Sequence, residues 1–118
     1  MAFDERQADR IREALLQEGT VFKEKKMMGG LIFLVDDKMC CGLHTDKATG
    51  EGLLMVRLDP ADVARESRRP ECSVVELGGR RMRGFLRIRD LNALTHDALS
   101  DWMIRCLAYN PLAKRSKK

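Results

Sequence analysis

Two short segments of this chain are apolar at nearly every position, and they limit its possible folds more than any other feature. They read LIFLV at residues 31–35 and LLMVRL at residues 53–58. Successive side chains of a β-strand point to opposite sides of its sheet, so strands of this composition need apolar cover on both sides. We expect that cover to come either from helices on both sides of the sheet or from a second copy of the chain.

The predicted strands are joined mostly by connections of hairpin length, which favour an antiparallel sheet. Asp36-Asp37 predicts a two-residue hairpin turn, because Asp tolerates turn geometry. Gly29-Gly30 permits a bulge or a tight turn, and Gly78-Gly79 predicts the last turn. The predicted strands, of which the first is a lysine-rich edge strand, are residues 21–28, 31–35, 38–44, 53–58, 73–77 and 82–88.

Three segments combine helix-capping residues with helical periodicity. The first is capped by Asp4 and ends before Gly19, and the short second one is capped by Asp59. The third starts near Thr95. The order is therefore helix, four strands, helix, two strands, helix. It predicts an α+β fold with a mainly antiparallel sheet of about six strands and three helices.

The length and composition fit one compact domain. With 118 residues, of which 44% are hydrophobic, the chain is too short for two independent cores. No apolar run approaches the roughly 20 residues that span a bilayer, and the charged start MAFDERQADR is unlike a secretion signal. We therefore expect a soluble cytoplasmic protein, in a compartment where thiols stay reduced.

The net charge of +4 is concentrated at the end of the chain. The last five residues, KRSKK, contain four of the 22 basic side chains, so the rest of the chain carries 18 basic and 18 acidic residues. A neutral body with a basic tail is weak support for nucleic-acid binding. We expect residues 1–112 to form the domain and residues 113–118 to be a disordered basic tail.

Cys40 and Cys41 are adjacent in the predicted third strand. On a regular strand, Cys41 shares its side of the sheet with Met39 and Leu43, whereas Cys40 points to the other side, with His44. The two thiols then cannot ligate one metal ion. Because the chain also has no C-x-x-C spacing, the sequence predicts neither a metal site nor a cofactor.

The cysteines are then either small core residues or, in one case, a reactive thiol. We expect Cys41 and Cys106 to be buried, because free cysteine often behaves as a small hydrophobe. Cys40 is predicted on the more open side of its strand, so a role as a thiol-based redox sensor stays an alternative.

The stretch GGRRMRGFLRIRD contains five arginines between residues 80 and 89. Alternation places Met82, Leu86 and Ile88 on one side of this strand. The other side is a candidate surface for nucleic-acid or partner contacts, since arginines bind phosphate and an aromatic ring can stack on a base. Its residues are Arg81, Arg83, Phe85, Arg87 and Arg89. The alternative is a solvated face neutralised by acids such as Glu76, which the neutral body favours.

The motifs of common enzyme classes do not occur in the sequence. It contains no G-x-x-x-x-G-K-[ST] phosphate-binding loop, no G-x-S-x-G elbow and no H-E-x-x-H helix. The only two histidines are His44 and His96, far apart in the sequence. We predict that the protein is not an enzyme.

Four segments together resemble the TfoX N-terminal domain family. They are EKKMMGGLIFLVDDKMCCGL, LLMVRLDP, GGRRMRGFLRI and DALSDWMIRCLAYN, and the resemblance extends over residues 3–112. Met28 stands where the family usually has Phe, and Arg81 where it generally has Pro. The resemblance implies an α+β domain similar to YgaC and to secretion-chaperone-like folds. The named members are regulators of natural competence that act with the cyclic-AMP receptor protein and carry a further C-terminal domain.

These observations favour a small non-enzymatic regulatory module that acts by contact with another protein, with a homodimer as one way to cover the sheet. One alternative is direct DNA binding through the arginine strand and the basic tail. The other is a thiol-based redox sensor at Cys40. We predict no metal, no cofactor and no membrane contact.

Overall fold

The computed structural model describes residues 3–27 and 29–113 and confirms the predicted α+β class and element order. The helices are α1 (Glu5–Gln17), α2 (Pro60–Glu66) and α3 (His96–Tyr109), with 3₁₀ turns at Leu91–Ala93 and Asn110–Leu112. The strands are β1 (Lys23–Met27), β2 (Gly30–Val35), β3 (Lys38–Thr45), β4 (Gly52–Arg57), β5 (Cys72–Leu77) and β6 (Arg80–Ile88). Met28 and residues 114–118 of the predicted tail lie outside the described residues.

In the described part of the chain the six strands form one antiparallel sheet, in the order β1-β2-β3-β4-β6-β5. The edge strand β1 exposes the charged residues 23–26, which protect a sheet edge from pairing with another chain. Asp36 and Asp37 have left-handed φ angles of 53° and 60°. A two-residue hairpin turn needs this geometry, so the predicted hairpin is confirmed.

Each of the three helices begins at a residue whose side chain caps a free backbone N–H group. The side chain of Asp4 accepts such a hydrogen bond at 2.8 Å, and that of Asp59 at 2.9 Å. Thr95 caps α3 in the same way, at 3.1 Å. The three predicted helix starts are therefore confirmed.

The helices α1 and α3 pack on one side of the sheet, which we call the covered surface. Strand pairing aligns a row of residues across this surface, namely Glu24, Phe33, Cys41, Val56, Leu86 and Val74. Ile11 and Leu15 of α1, and Leu99 and Met103 of α3, are completely buried against it. Each such side chain contributes roughly 1.5–3 kcal/mol of burial. This side of the sheet is the main core.

The other side of the sheet, which we call the open surface, has a second apolar cluster made only of strand residues. Its buried members are Ile32, Met55, Val75 and Phe85, and its partly buried members are Met27, Leu34, Met39 and Met82. No helix residue in the described chain belongs to this cluster, so the expectation of helices on both sides is wrong. Cover by a second copy stays a prediction.

The end of α3 is attached to the β2–β3 hairpin by polar contacts. The buried ammonium of Lys38 donates to the carbonyl oxygens of Asn110 and Pro111 at 3.2 and 3.4 Å and lies 3.6 Å from the Asp36 carboxylate. The side-chain amide of Asn110 donates to the Val35 carbonyl at 3.2 Å. A cation suits the C-terminal end of a helix, where carbonyl groups lack intrahelical partners.

A second polar cluster joins α2 to α3. The Glu66 carboxylate accepts hydrogen bonds from Arg105 at 3.0 Å and from Arg69 at 3.2 Å. Both guanidinium groups also lie over the ring of the buried Trp102, at 4.9 and 5.4 Å from its centre. Partial burial raises the pKa of Glu66, but the hydrogen bonds from the two arginines outweigh it, so that the pKa is below its ordinary value.

We predict that Glu66→Gln lowers the melting temperature at neutral pH and that this difference shrinks in acid. Because the pKa of Glu66 is depressed in the folded state, its carboxylate stabilises the fold above the ordinary pKa of 4.5, and this contribution is lost as the pH falls through the depressed value. Fluorescence of Trp102 during thermal unfolding at pH 7 and pH 3 measures it. Glu13→Gln, at an exposed position of α1, is the matched control and should change little at either pH. A Glu66→Gln difference that stays constant with pH would contradict this account.

Candidate functional site

The strand β3 carries one residue more than β2 in their pairing, and that residue is Cys40. Phe33 pairs with Cys41, but the next residue of β2, Leu34, pairs with Met39. Such a bulge interrupts the alternation of a strand and can redirect a side chain. As a result both cysteines belong to the covered surface, and each is 1% exposed.

The sequence-based assignment of Cys40 and Met39 to their sides of the sheet is therefore wrong. Cys40 faces α3 instead of the more open side, and Met39 belongs to the open surface. Gly42 does face the open surface, because a Cβ atom there would approach the side chain of Ile32 to 2.7 Å. The error follows from applying strict alternation across a bulge.

The bulge brings the two neighbouring thiols to a third, from α3. The Sγ atoms of Cys40, Cys41 and Cys106 all lie within 4.8 Å of one another, and we call these three residues the thiol cluster. The Sγ atoms of Cys40 and Cys106 are 3.4 Å apart. Met103 adds two contacts: its carbonyl accepts from the Cys106 thiol at 3.3 Å, and its sulfur lies 3.7 Å from that of Cys41. The prediction that the two adjacent thiols point to opposite sides of the sheet, and so cannot reach one metal ion, is thus also wrong.

The three thiols differ in acidity. Hydrogen bonding with Cys106 and then with Cys41 lowers the pKa of Cys40 well below its ordinary value, with a smaller contribution from the charge of Arg57 and against the effect of burial. The pKa of Cys41 is raised, mainly by Cys106, and that of Cys106 is raised, mainly by Cys40. Thiol donors stabilise a neighbouring thiolate, so the cluster favours one thiolate, at Cys40.

The fourth cysteine is separate. Cys72 lies on β5, is 6% exposed and does not belong to the thiol cluster. Burial raises its pKa to about 11. It therefore serves as an internal comparison for the three clustered thiols.

The role of Cys106 was missed from sequence, because 66 residues separate it from Cys40 and no local spacing connects them. The expectation that it is buried, like Cys41, is confirmed.

The candidate arginines of β6 do not form one surface. Arg81 and Arg83 are exposed and line a groove beside α2. Arg87 pairs with Met55 and faces the open surface. Arg89, just beyond the strand, forms an ion pair with Glu51 at 3.2 Å.

An irregular pairing of β6 with β5 causes this division. Residues 82–85 of β6 lie opposite the single residue Val75 of β5. Gly84 within this stretch has a φ of 83°. Alternation is therefore interrupted, and Met82 packs with Phe85 on the open surface, not with Leu86 and Ile88 as predicted. A glycine inside a strand is a signal for such an irregularity.

A cavity of about 60 Å³ opens on the open surface and is bordered by Ile32, His44, Met55 and Arg87. The Nε atom of Arg87 is buried and has no hydrogen-bond partner among the described residues. Partial burial and then the charge of Arg87 lower the pKa of His44. The cavity is large enough for a water molecule or one small side chain.

Comparison of the chain with protein-family models, curated proteins and solved structures gives no match. Within residues 3–27 and 29–113, no helix has the length and apolar character that crossing a membrane requires.

We predict that the folded protein protects all four thiols. Each is at most 6% exposed, and buried cysteines are shielded from reagents whatever their acidity. Labelling with a charged thiol reagent should therefore be slow in buffer and rapid, with four groups modified, in denaturant. Rapid labelling of Cys40 alone in the folded protein would instead support the redox-sensor alternative.

We also predict that any binding of duplex DNA depends on the basic tail, because the arginines of β6 point to different surfaces. Fluorescence anisotropy at two salt concentrations, the higher about 0.15 M, should compare the full chain with a chain ending at Ala113. That end keeps Ala113, which is buried. Binding by the shortened chain, with a steep salt dependence, would mean that the folded domain itself contacts phosphates.

Proposed function

We propose that this protein is a small regulatory module, not an enzyme, which binds an acidic, amphipathic segment of another protein through the open surface. One observation carries the proposal: this surface combines an apolar centre with basic side chains, and none of the described helices lies over it. Among its described strand residues, strand pairing and alternation place no carboxylate and five cations, namely Lys23, Lys25, Arg57, Arg80 and Arg87.

Strand pairing gives the composition of this surface directly. One row across the six strands contains Lys25, Ile32, Gly42, Met55, Arg87 and Ser73. In the neighbouring rows Lys23 pairs with Leu34, and Arg57 pairs with Phe85. Lys23 is paired with Asp37 of the turn at 3.5 Å, whereas Lys25, Arg57 and Arg87 form no ion pair with a described residue. The cations therefore border the apolar centre on both sides.

Among the described residues, long side chains of the strands themselves border and cover this centre. The guanidinium of Arg57 lies 5.2 Å from the centre of the Phe85 ring, and three partly buried methionines surround the cluster. Arginine stems can cover apolar surface while their charge stays in water, and methionine adapts to different neighbours. Such a surface can rearrange to bury a partner's apolar side chains.

The positive charge of the open surface favours an acidic partner. An amphipathic segment with carboxylates beside its apolar residues would pair with Lys25, Arg57 and Arg87 while covering the methionines. A second copy of the chain would bring the same cations towards each other, which disfavours a homodimer through this surface. The predicted homodimer, which would cover the sheet, is therefore not the occupant proposed here.

The resemblance to the TfoX N-terminal domain family supports a regulatory role, since the named members of that family regulate transcription. A reducing cytoplasm, in which the clustered thiols would stay free, agrees with this proposal. The role proposed is recruitment by protein contact and does not require direct contact with DNA.

Site-directed photo-crosslinking followed by a binding measurement tests the proposal. A photoreactive amino acid replaces Met39 on the open surface or, as a control, Ile104, which is 44% exposed on α3. We expect adducts with another protein from position 39 and not from position 104. The crosslinked segment, made as a labelled peptide, is then titrated with the purified protein.

The neighbouring lysines of β1 provide matched variants for this titration. Lys25 pairs with Ile32 on the open surface, and Lys26 pairs with Leu31 on the other side. Both are exposed, so neither change should affect folding. Lys25→Glu should weaken binding about tenfold, or about 1.4 kcal/mol, and Lys26→Glu much less. Equal effects of the two changes, or adducts only between copies of the chain, would overturn the proposal.

A further inference from the structure

We propose that the thiol cluster is a binding site for one soft, thiophilic metal ion and that Cu⁺ is the ion it suits. The three Sγ atoms come from two elements, β3 and α3, and lie within 4.8 Å of one another in a buried position. Nothing in the proposed function requires this site, so the two proposals stand independently.

The distances suit three sulfur ligands around one ion. Metal–thiolate bonds of about 2.3 Å place three ligating sulfurs about 4 Å apart. The distance between the Sγ atoms of Cys40 and Cys106 is 3.4 Å, and no pair in the cluster exceeds 4.8 Å. Movements of well under 1 Å in each side chain would therefore complete the site.

The donor set favours Cu⁺ over the commoner ions. Within the described residues, the group contains three thiols and no histidine or carboxylate. Thiolate and thioether ligands select Cu⁺, whereas Ca²⁺ and Mg²⁺ require oxygen. A structural Zn²⁺ site takes four ligands in a tetrahedron, and the fourth sulfur near the cluster is the weakly binding thioether of Met103, 3.7 Å from the Sγ of Cys41.

The backbone shows how the site is built. A regular β3 would direct Cys40 and Cys41 to opposite sides of the sheet, and the bulge at Cys40 directs both to α3. Bulges often redirect a side chain at a functional position. The bulge thus places both sulfurs beside Cys106 of α3, as ligation of one ion requires.

Binding is an exchange of protons for the ion, without a redox step. Each ligand that is still protonated, as Cys41 and Cys106 are, releases one proton to the solvent, and its sulfur–hydrogen bond is replaced by a sulfur–copper bond, whereas a Cys40 thiolate binds directly. The resulting negative charge in the core is opposed by the cation of Arg57, which acts on Cys40 from the adjacent strand β4. The ion ties β3 to α3 and so should stabilise the folded state.

Anaerobic transfer of Cu⁺ from its bicinchoninate complex to the reduced protein tests the site. We expect one equivalent per chain to transfer, and a rise in melting temperature, because an ion that prefers the folded state stabilises it. Cys106→Ser should abolish both effects, with a loss of affinity beyond the roughly 10–100-fold that changes outside the ligand set cause. Cys72→Ser, which removes a buried cysteine outside the cluster, should retain both.

If Cys106→Ser does not fold, Cys106→Ala gives the same comparison without placing a hydroxyl group in the core. Circular dichroism of each variant checks that it is folded before titration. Equal loss of transfer in the Cys72 and Cys106 variants, or a melting temperature that falls as copper is added, would show binding to unfolded thiols and overturn the proposal. Tighter binding of Zn²⁺ than of Cu⁺ at the same cysteines would overturn the choice of ion.

Discussion

The pairing of β2 with β3 determines how the rest of the structure is arranged, because it contains both the tight turn at Asp36-Asp37 and the extra residue Cys40. At the turn, Lys38 holds the carbonyl groups at the end of α3. One helical turn earlier, Cys106 contacts the sulfur of Cys40. The C-terminal part of α3 is thus attached to β3 by two neighbouring contacts. One is the polar contact of Lys38, and the other is the sulfur contact of Cys40. A shift of one residue in this pairing would disrupt both attachments at once.

The two sides of the sheet achieve burial by different means. On the covered surface, side chains such as Ile11 and Leu99 are supplied by helices and are fully excluded from water. On the open surface, Ile32 and Met55 are buried in a cluster made only of strand residues, in which three methionines are partly buried, and Arg57 lies over the ring of Phe85. Fixing a long side chain costs up to roughly 1.5–2 kcal/mol of conformational entropy. Methionine and arginine side chains that cover an apolar surface therefore avoid this cost when they stay mobile. A partner can therefore displace these side chains at lower cost than it could displace a packed helix.

The features that sequence alone predicted depend on local chemistry. The caps at Asp4, Asp59 and Thr95, and the turn at Asp36-Asp37, are properties of a few adjacent residues, and each was placed correctly. Apart from the expected helices on both sides of the sheet, the errors concern the direction of side chains next to an irregularity in strand pairing, as at Cys40 and Met82. A bulge depends on how two strands pair, so the sequence of one strand does not predict its position. For the same reason, no local sequence pattern indicates that Cys106 contacts the thiols of β3.

The strand β3 contributes residues to both candidate sites, and the charged side chain of Arg57 lies near both. Its bulge turns Cys40 towards α3 while the preceding residue, Met39, lies on the open surface. The guanidinium of Arg57 is 3.4 Å from the Met39 carbonyl oxygen, on the open surface, and its charge also favours a thiolate at Cys40. A carboxylate that engages Arg57 from outside would offset part of that charge, because the two anions share one cation. Because the charge of Arg57 contributes less to the acidity of Cys40 than its hydrogen bonding with Cys106 and Cys41, the two sites share one arginine without depending on each other.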